Sequence, residues 1–444
     1  MDILKKGGNY MKRKLYDNLL KWKKTNINMP YMLVGARQTG KTYILGEFCK
    51  NEFENYIYIN LDLMENIKEI FEKTIEPDEI IRNLEIILNK DINIENTVIF
   101  IDEIQVSERA ISSLKYFCES SKEYKIVCAG SLLGVKINRF KSSFPVGKVW
   151  IEYLYPMDFE EFLWAIKEDK LLKEIEKSYK KLEPMLEPLH QKALQLYYDY
   201  ICIGGMPASI NNYIQNDKDI TKYDEEVSQL IITSYIADMA KYTENLESIR
   251  NAKIYNSIPI QLGKENKKFK YSVVEKSARA REYESSLDWL LSSNMILKCE
   301  NIKTPQSPLK VYVDTSFKVY LSDMGLLRAL AKISVNEIIT NKNMLYKGIL
   351  AENYIAEILY ARNRELYYWQ VNSGMYEVDF LINIDGNIIP IEVKASDNVT
   401  SKSLNYYVKR YKPEYSIRIS SKNFGFNNNI KSIPLYAAHL LKNL

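Results

Sequence analysis

The chain has 444 residues, 46% hydrophobic and 27% charged, with a net charge of +4. This excludes a disordered chain and a broadly basic protein, so any contact with a polyanion has to come from a local patch. Five cysteines without CxxC spacing and only two histidines exclude a zinc ribbon, a disulfide framework and a histidine-based metal site. The length predicts about two to four domains. The first residues are charged and lack an apolar run of signal-peptide length, and no apolar window reaches the ~18 residues of a membrane span. The expected compartment is the cytoplasm, with no membrane contact.

Residues 31–34, "YMLV", read as a short apolar strand. The next eight, Gly35-Ala36-Arg37-Gln38-Thr39-Gly40-Lys41-Thr42, fit GxxxxGK[ST], and helical character follows over 43–48. Glycines let such a loop present N–H groups to phosphate oxygens, and the helix N-terminus adds partial positive charge. Lys41 is placed to reach the β- and γ-phosphates, and the Thr42 hydroxyl to ligate Mg²⁺. Residues 56–62 alternate as a strand, and 77–88 read as a helix. Residues 98–101 are a continuous apolar run, typical of a strand buried on both faces, that ends in Asp102-Glu103. Asp102 is expected in the Mg²⁺ shell and Glu103 as the group that polarises an attacking water. A helix over 108–120 and a strand over 124–134 follow, with Ser131 just after a glycine. Alternation of strands and helices predicts an α/β, doubly wound parallel sheet with its ligand at the carboxyl ends of the strands.

The segments "GARQTGKT", "VIFIDEIQ", "AGSLLG" and, at 154–163, "LYPMDFEEFL" resemble a prokaryotic family of AAA-type P-loop ATPases with a C-terminal domain of unknown function. "YICIGGMPASI" (200–210), "SYIADMAKY" (234–242) and "FKVYLSDMGLLRAL" (317–330) extend the likeness over nearly the whole chain. The resemblance implies ATP and Mg²⁺ as ligands, with Lys41, Asp102, Glu103 and Ser131 as the catalytic group. Ser131 would sense the γ-phosphate; as a residue after glycine it is also ordinary turn chemistry. Where the family has Gly-Arg before "PMDFEEFL", this chain has Gly147-Lys148. A lysine lacks the planar fork of arginine, which implies slower hydrolysis or service by another arginine such as Arg139.

The middle of the chain reads as helices over 151–245, broken by "GGMP" at 204–207, and resembles the helical lid of AAA-type ATPases. Three helices and a β-hairpin follow over 246–335, a pattern that fits a winged helix. Residues 251–310 hold 11 Lys and Arg against 6 Asp and Glu. The basic stretch 263–282, with Lys267, Lys268 and Lys270, is therefore a candidate DNA contact; a connector between domains fits it equally.

Near the C-terminus, Asp385-Gly386 is a favoured two-residue hairpin turn. It sets Ile384 against Asn387, Ile382 against Ile389, Phe380 against Ile391 and Val378 against Val393, and the six residues of the last three pairs are apolar and share one face. On the other face, expected to reach solvent, Asp379 opposes Glu392 and Lys394 follows two residues on. Two carboxylates and a lysine suit metal-dependent phosphodiester hydrolysis, and D…ExK resembles the PD-(D/E)xK nuclease superfamily. That resemblance implies a further helical acid, matched by Glu352, with Glu357 on the same helix. An exposed salt network fits the same residues.

The expected division is 1–165 P-loop AAA-type ATPase core, 166–245 helical lid, 246–335 winged-helix-like domain, and 336–444 α/β restriction-endonuclease-like domain. The expected function is ATP binding and hydrolysis coupled to a DNA-binding or nuclease-like domain, with homo-oligomers possible. Two alternatives stay open: a nucleotide switch with an inactive C-terminal interaction module, and an ATP-regulated, Mg²⁺-dependent DNA nuclease.

Overall fold

The computed structural model describes residues 11–443 apart from 26, 132–143, 244, 341, 343, 364, 372–374 and 396–401. Arg139 and the end of the "AGSLLG" segment lie outside the described residues. The chain divides into two compact units, one built on Lys12–Tyr155 and the other on Pro156–Leu291 with Met295–Leu444.

In the first unit, β1 (Tyr31–Val34), β2 (Asn55–Asn60), β3 (Thr97–Asp102), β4 (Lys125–Gly130) and β5 (Trp150–Tyr153) form one sheet in the order 2-3-4-1-5. Every pairing in it is parallel. Successive side chains of a strand point to opposite faces, and both faces here are covered. Met32, Val34, Ile99 and Ile101 join one apolar cluster with the helices Glu65–Lys73, Pro77–Leu88 and Glu108–Glu119. Tyr31, Leu33, Val98 and Phe100 join another with Leu15–Lys23 and Lys41–Glu52. This is the expected α/β parallel sheet, and it brings the carboxyl ends of β1, β3 and β4 to one edge.

The second unit holds an eight-stranded sheet. Its strands are β6 (Ile296–Ile302), β7 (Val313–Leu321), β8 (Leu366–Val371), β9 (Tyr376–Ile384), β10 (Asn387–Val393), β11 (Ser416–Ser420), β12 (Gly425–Asn427) and β13 (Ile430–Pro434), in the order 12-13-11-10-9-8-6-7. β6 and β7 are the hairpin expected as a wing. β6 also pairs in parallel with β8, so the expected boundary at 335/336 falls inside one continuous sheet. The strands are buried enough to require this: Ile296, Leu297, Cys299 and Ile302 are all in the core.

The helices expected as a lid share the core of this second unit. His190 meets the Tyr436 hydroxyl at 2.9 Å, the Met185 N–H donates to Asn423 at 2.9 Å, and the buried Arg328 donates to the Cys202 carbonyl at 2.7 Å. Asp323 caps the helix Met324–Leu330 and also accepts from the Gly205 N–H at 2.6 Å. A Cβ on Gly204 would lie 2.2 Å from the Asp323 carboxylate, which explains a glycine there. The "GGMP" and "LSDMGLL" segments are thus halves of one packing contact. Among the described residues no helix is long and apolar enough to cross a membrane.

Candidate functional site

The first site grows from the end of β1. Gly35 has to be glycine, because a Cβ there would lie 2.2 Å from the Leu154 carbonyl oxygen. Gln38 (φ 63°) and Gly40 (φ 95°) take left-handed conformations, and the helix Lys41–Glu52 begins at once. No side chain caps that helix start, and the positive end of the helix dipole favours a ligand of opposite charge there. Lys41 is nearly buried. Its ammonium donates to the Gly35 and Ala36 carbonyls at 2.9 and 2.7 Å, lying back across the loop.

Asp102 ends β3 in register with Asn60 of β2. Its Oδ2 accepts from the Thr42 hydroxyl and from the Tyr58 hydroxyl, each at 3.0 Å, and its Oδ1 accepts from the Glu103 N–H at 3.0 Å. Burial, then the neighbouring Glu103 charge, pushes the Asp102 carboxyl above its usual range, against the pull of those donors. Burial likewise pushes the Tyr58 hydroxyl up to about 12. A hydroxyl and a carboxylate in contact supply two hard oxygen ligands, the donor set that Mg²⁺ takes beside phosphate and water. Thr42 and Asp102 therefore fit the ion.

Glu103 adopts a left-handed backbone, φ 51°. Gln105 donates through Nε2 to Glu103 Oε2 and lies 3.4 Å from the Ser131 hydroxyl. Contacts thus join Thr42 to Asp102 and Glu103 through Gln105 to Ser131, Lys41 lies on its own loop, and Lys148 pairs with Glu119 at 3.0 Å. Sequence reasoning missed Tyr58, Gln105 and Arg13, whose guanidinium donates to the Thr39 carbonyl at 2.8 Å. Gln105 stands in the quoted "IDEIQ" and was legible by spacing. Tyr58 was legible as an alternate residue of β2. Arg13 has no local signal.

The second site lies in the other unit. The hairpin register is as expected from Ile384–Asn387 to Phe380–Ile391. There the ladder stops, one pair short of Asp379–Glu392, and Asp379 Oδ2 accepts from the Val393 N–H at 2.8 Å. The carboxylates are less open than expected: Glu352 and Glu392 are each 4% exposed, while Asp379 and Lys394 are half-buried. Helices Met344–Asn363 and Lys402–Tyr411 pack on the sheet. Asp379, Glu392 and Glu352 are close enough that burial, then these two charges, push the Asp379 carboxyl up to about 8. Lys394 pairs with Glu392 at 2.7 Å.

Three neighbours were not foreseen. Lys318 of β7, fully buried, lies 3.1 Å from Glu352 and 2.5 Å from Glu377. Lys267 pairs with Glu352 from the other side, and the Tyr320 hydroxyl donates to it at 2.6 Å. The two ammonium groups hold the Glu352 carboxyl well below its usual range despite burial. Lys267, expected on a DNA-facing surface, is instead turned inward. Three carboxylates fit a divalent ion by donor chemistry, but lysines engage two of them. Among the described residues no three His, Cys, Asp or Glu side chains are grouped to hold a metal.

Residues 28–163 match the family model of an AAA domain. Residues 194–337 and 347–438 match two models, each a domain of unknown function (DUF8612 and DUF4143). No curated protein matches the chain. Among solved structures, the chain is similar to the Walker-type ATPase paby2304 of Pyrococcus abyssi, at 14% identity and TM-score 0.45, over 72% of this chain and 96% of that one. It is also similar to the Aeropyrum pernix ORC2 protein in its ADPNP–ADP complexes, at 12% identity and TM-score 0.40, over 75% and 96%. The replication initiator DnaA bound to AMPPCP and single-stranded DNA matches at 14% identity and TM-score 0.30, over 64% and 89%. The loop after β1, the carboxylate strand beside it and the family match to residues 28–163 together support a P-loop AAA-type domain in this part of the chain.

Proposed function

We propose that the chain binds ATP with Mg²⁺ at the edge of the first sheet, hydrolyses it, and couples this cycle to its C-terminal half. The observation that carries the reading is the 3.0 Å contact between the Thr42 hydroxyl and Asp102 at an uncapped helix start. Lys41 leaves the Gly35 and Ala36 carbonyls for the β- and γ-phosphate oxygens, which outcompete neutral acceptors for an ammonium. Thr42 and Asp102 would hold Mg²⁺, which would supply charge to neutralise the phosphates. Glu103 accepts a proton from the water that attacks the γ-phosphorus, as the bond to the ADP oxygen breaks. Gln105, which bonds Glu103 and reaches the Ser131 hydroxyl, steers the Glu103 carboxylate. Lys41→Ala should abolish nucleotide binding. Glu103→Gln should bind ATP and hydrolyse it at least about a hundredfold more slowly. Wild-type turnover in Glu103→Gln overturns the assignment.

For the C-terminal half, the D…ExK residues support a nuclease-like, DNA-directed module, in which Glu352, Asp379 and Glu392 would hold Mg²⁺ and Lys394 would stabilise the attacked phosphate. The lysines on Glu352 favour a second reading, an interaction module without catalysis. DNA cleavage by the full chain in Mn²⁺ or Mg²⁺, with and without ATP, separates the two: cleavage lost in Asp379→Asn supports the first, and none under any condition supports the second.

A further inference from the structure

We infer that Arg13 is a positioning residue for the phosphate loop: its guanidinium sets the direction in which the loop's last peptide presents its N–H. The inference rests on the nucleotide-binding reading above. Arg13 stands before the helix Leu15–Lys23, outside the motif it serves, and is 5% exposed. Its Nη1 donates to the Thr39 carbonyl at 2.8 Å and its Nη2 to the Tyr155 carbonyl at 2.7 Å.

The Thr39 carbonyl and the Gly40 N–H belong to one peptide plane. In a trans peptide these groups point in opposite directions. Holding the carbonyl on Arg13 therefore aims the Gly40 N–H away from the guanidinium, at the start of the uncapped helix. The plane would otherwise rotate easily, because Gly40 tolerates both signs of φ and here takes φ 95°. The second arm fixes the other end of the loop. Tyr155 follows Leu154, whose N–H bonds the Val34 carbonyl at 2.8 Å and whose carbonyl oxygen closes on Gly35. One planar fork thus spans both ends of the phosphate loop. A lysine, with a single ammonium, reaches one carbonyl at a time.

The test measures equilibrium binding of fluorescent mant-ADP and mant-ATP with Mg²⁺ to the full chain. Arg13→Gln should weaken both about tenfold or more, the loss expected from a charged donor. The two factors should be equal, because the Gly40 N–H is set before any γ-phosphate is involved. Arg13→Lys should fall between wild type and Arg13→Gln, and it decides the matter if Arg13→Gln does not fold. Leu19→Ala, a core change on the neighbouring helix, controls for stability: it should lower the thermal midpoint and leave affinity at the wild-type value. Wild-type affinity in Arg13→Gln, or an equal loss of affinity in Leu19→Ala, overturns the positioning role while the nucleotide reading stands. Failure of the wild type to bind either nucleotide removes the nucleotide reading, and this inference with it.

Discussion

Asp323 shows how one residue carries a packing contact and a pH signature together. Its carboxylate accepts from the Gly205 and Leu326 N–H groups, at 2.6 and 2.9 Å, in a fully buried position. Burial pushes its carboxyl up from 3.8 to about 6, against those donors. The folded state therefore binds this proton more tightly than the unfolded one. The associated stability is fully present below about pH 4 and is lost as pH rises through about 6. We predict that the thermal midpoint, followed from pH 4 to 8, falls across that window in the wild type and that Asp323→Asn flattens the fall. An identical profile in both proteins would assign the slope to other groups. At this scale the sequence was most informative where chemistry is local. The strand, loop and helix over Tyr31–Glu52 and the strand ending in Asp102 formed where expected, because each constrains neighbouring residues. Arg13 and Lys318 were not readable, because each meets partners dozens of residues away.

Among the elements, the hairpin β9–β10 was legible in register from Ile384–Asn387 to Phe380–Ile391, since Asp385-Gly386 (φ 49° and 88°) dictates the pairing next to the turn. What covers its second face was not. Period-two alternation separates the faces of a strand, but it is blind to a helix or lysine arriving from elsewhere. The segment between the helices Asn245–Leu262 and Tyr271–Val274 illustrates this. It read as a basic surface, yet Phe269 stacks on Phe317 at 5.4 Å and Lys267 enters the carboxylate cluster. Lys318 is held by Glu352, Glu377 and the Tyr368 ring, whereas Lys267 keeps a quarter of its side chain exposed. Lys267 is therefore the ammonium that can be removed without stranding a buried charge. In Lys267→Met, the carboxylates lose one counter-charge, and Mn²⁺ should raise the thermal midpoint more than in the wild type, by mass action on the folded state. That gain should vanish in Lys267→Met with Asp379→Asn. Equal Mn²⁺ response in all three proteins would leave the cluster a salt network and favour the inactive-module reading. A different element, the helix Lys402–Tyr411, seats Tyr407 against Trp369 at 5.1 Å with 1% exposure. Tyr407→Ala should cost roughly 3–5 kcal/mol of unit stability in urea unfolding, as for other buried aromatic truncations. A loss under 1 kcal/mol would mean the helix repacks.

At the scale of the whole chain, family boundaries and folding boundaries differ. Two domains of unknown function meet between residues 337 and 347, while strand β6 of the first pairs with β8 of the second over four residues. The sequence could not reveal this, because a parallel pair between strands some 60 residues apart leaves no mark in either strand's pattern. The consequence is testable by cutting the chain. Residues 336–444 alone would expose the edge of β8, a row of unpaired N–H and carbonyl groups prone to pairing with other copies. They would also lose Lys318 and Lys267, leaving the buried Glu352 carboxylate and the half-buried Glu377 carboxylate without their ammonium partners. Removing one partner of a buried ion pair costs about 3–5 kcal/mol, and a unit of this size has only about 5–15 kcal/mol in total. Residues 336–444 should therefore show no cooperative thermal transition and should self-associate, whereas residues 156–444 should melt cooperatively. Adding residues 246–335 in trans should restore a transition to the C-terminal fragment, because those residues carry both the missing strand pair and the missing lysines. A cooperative melt in 336–444 alone would show that β8 tolerates a free edge and that Glu352 and Glu377 find other partners, and the two families would then be independent folding units.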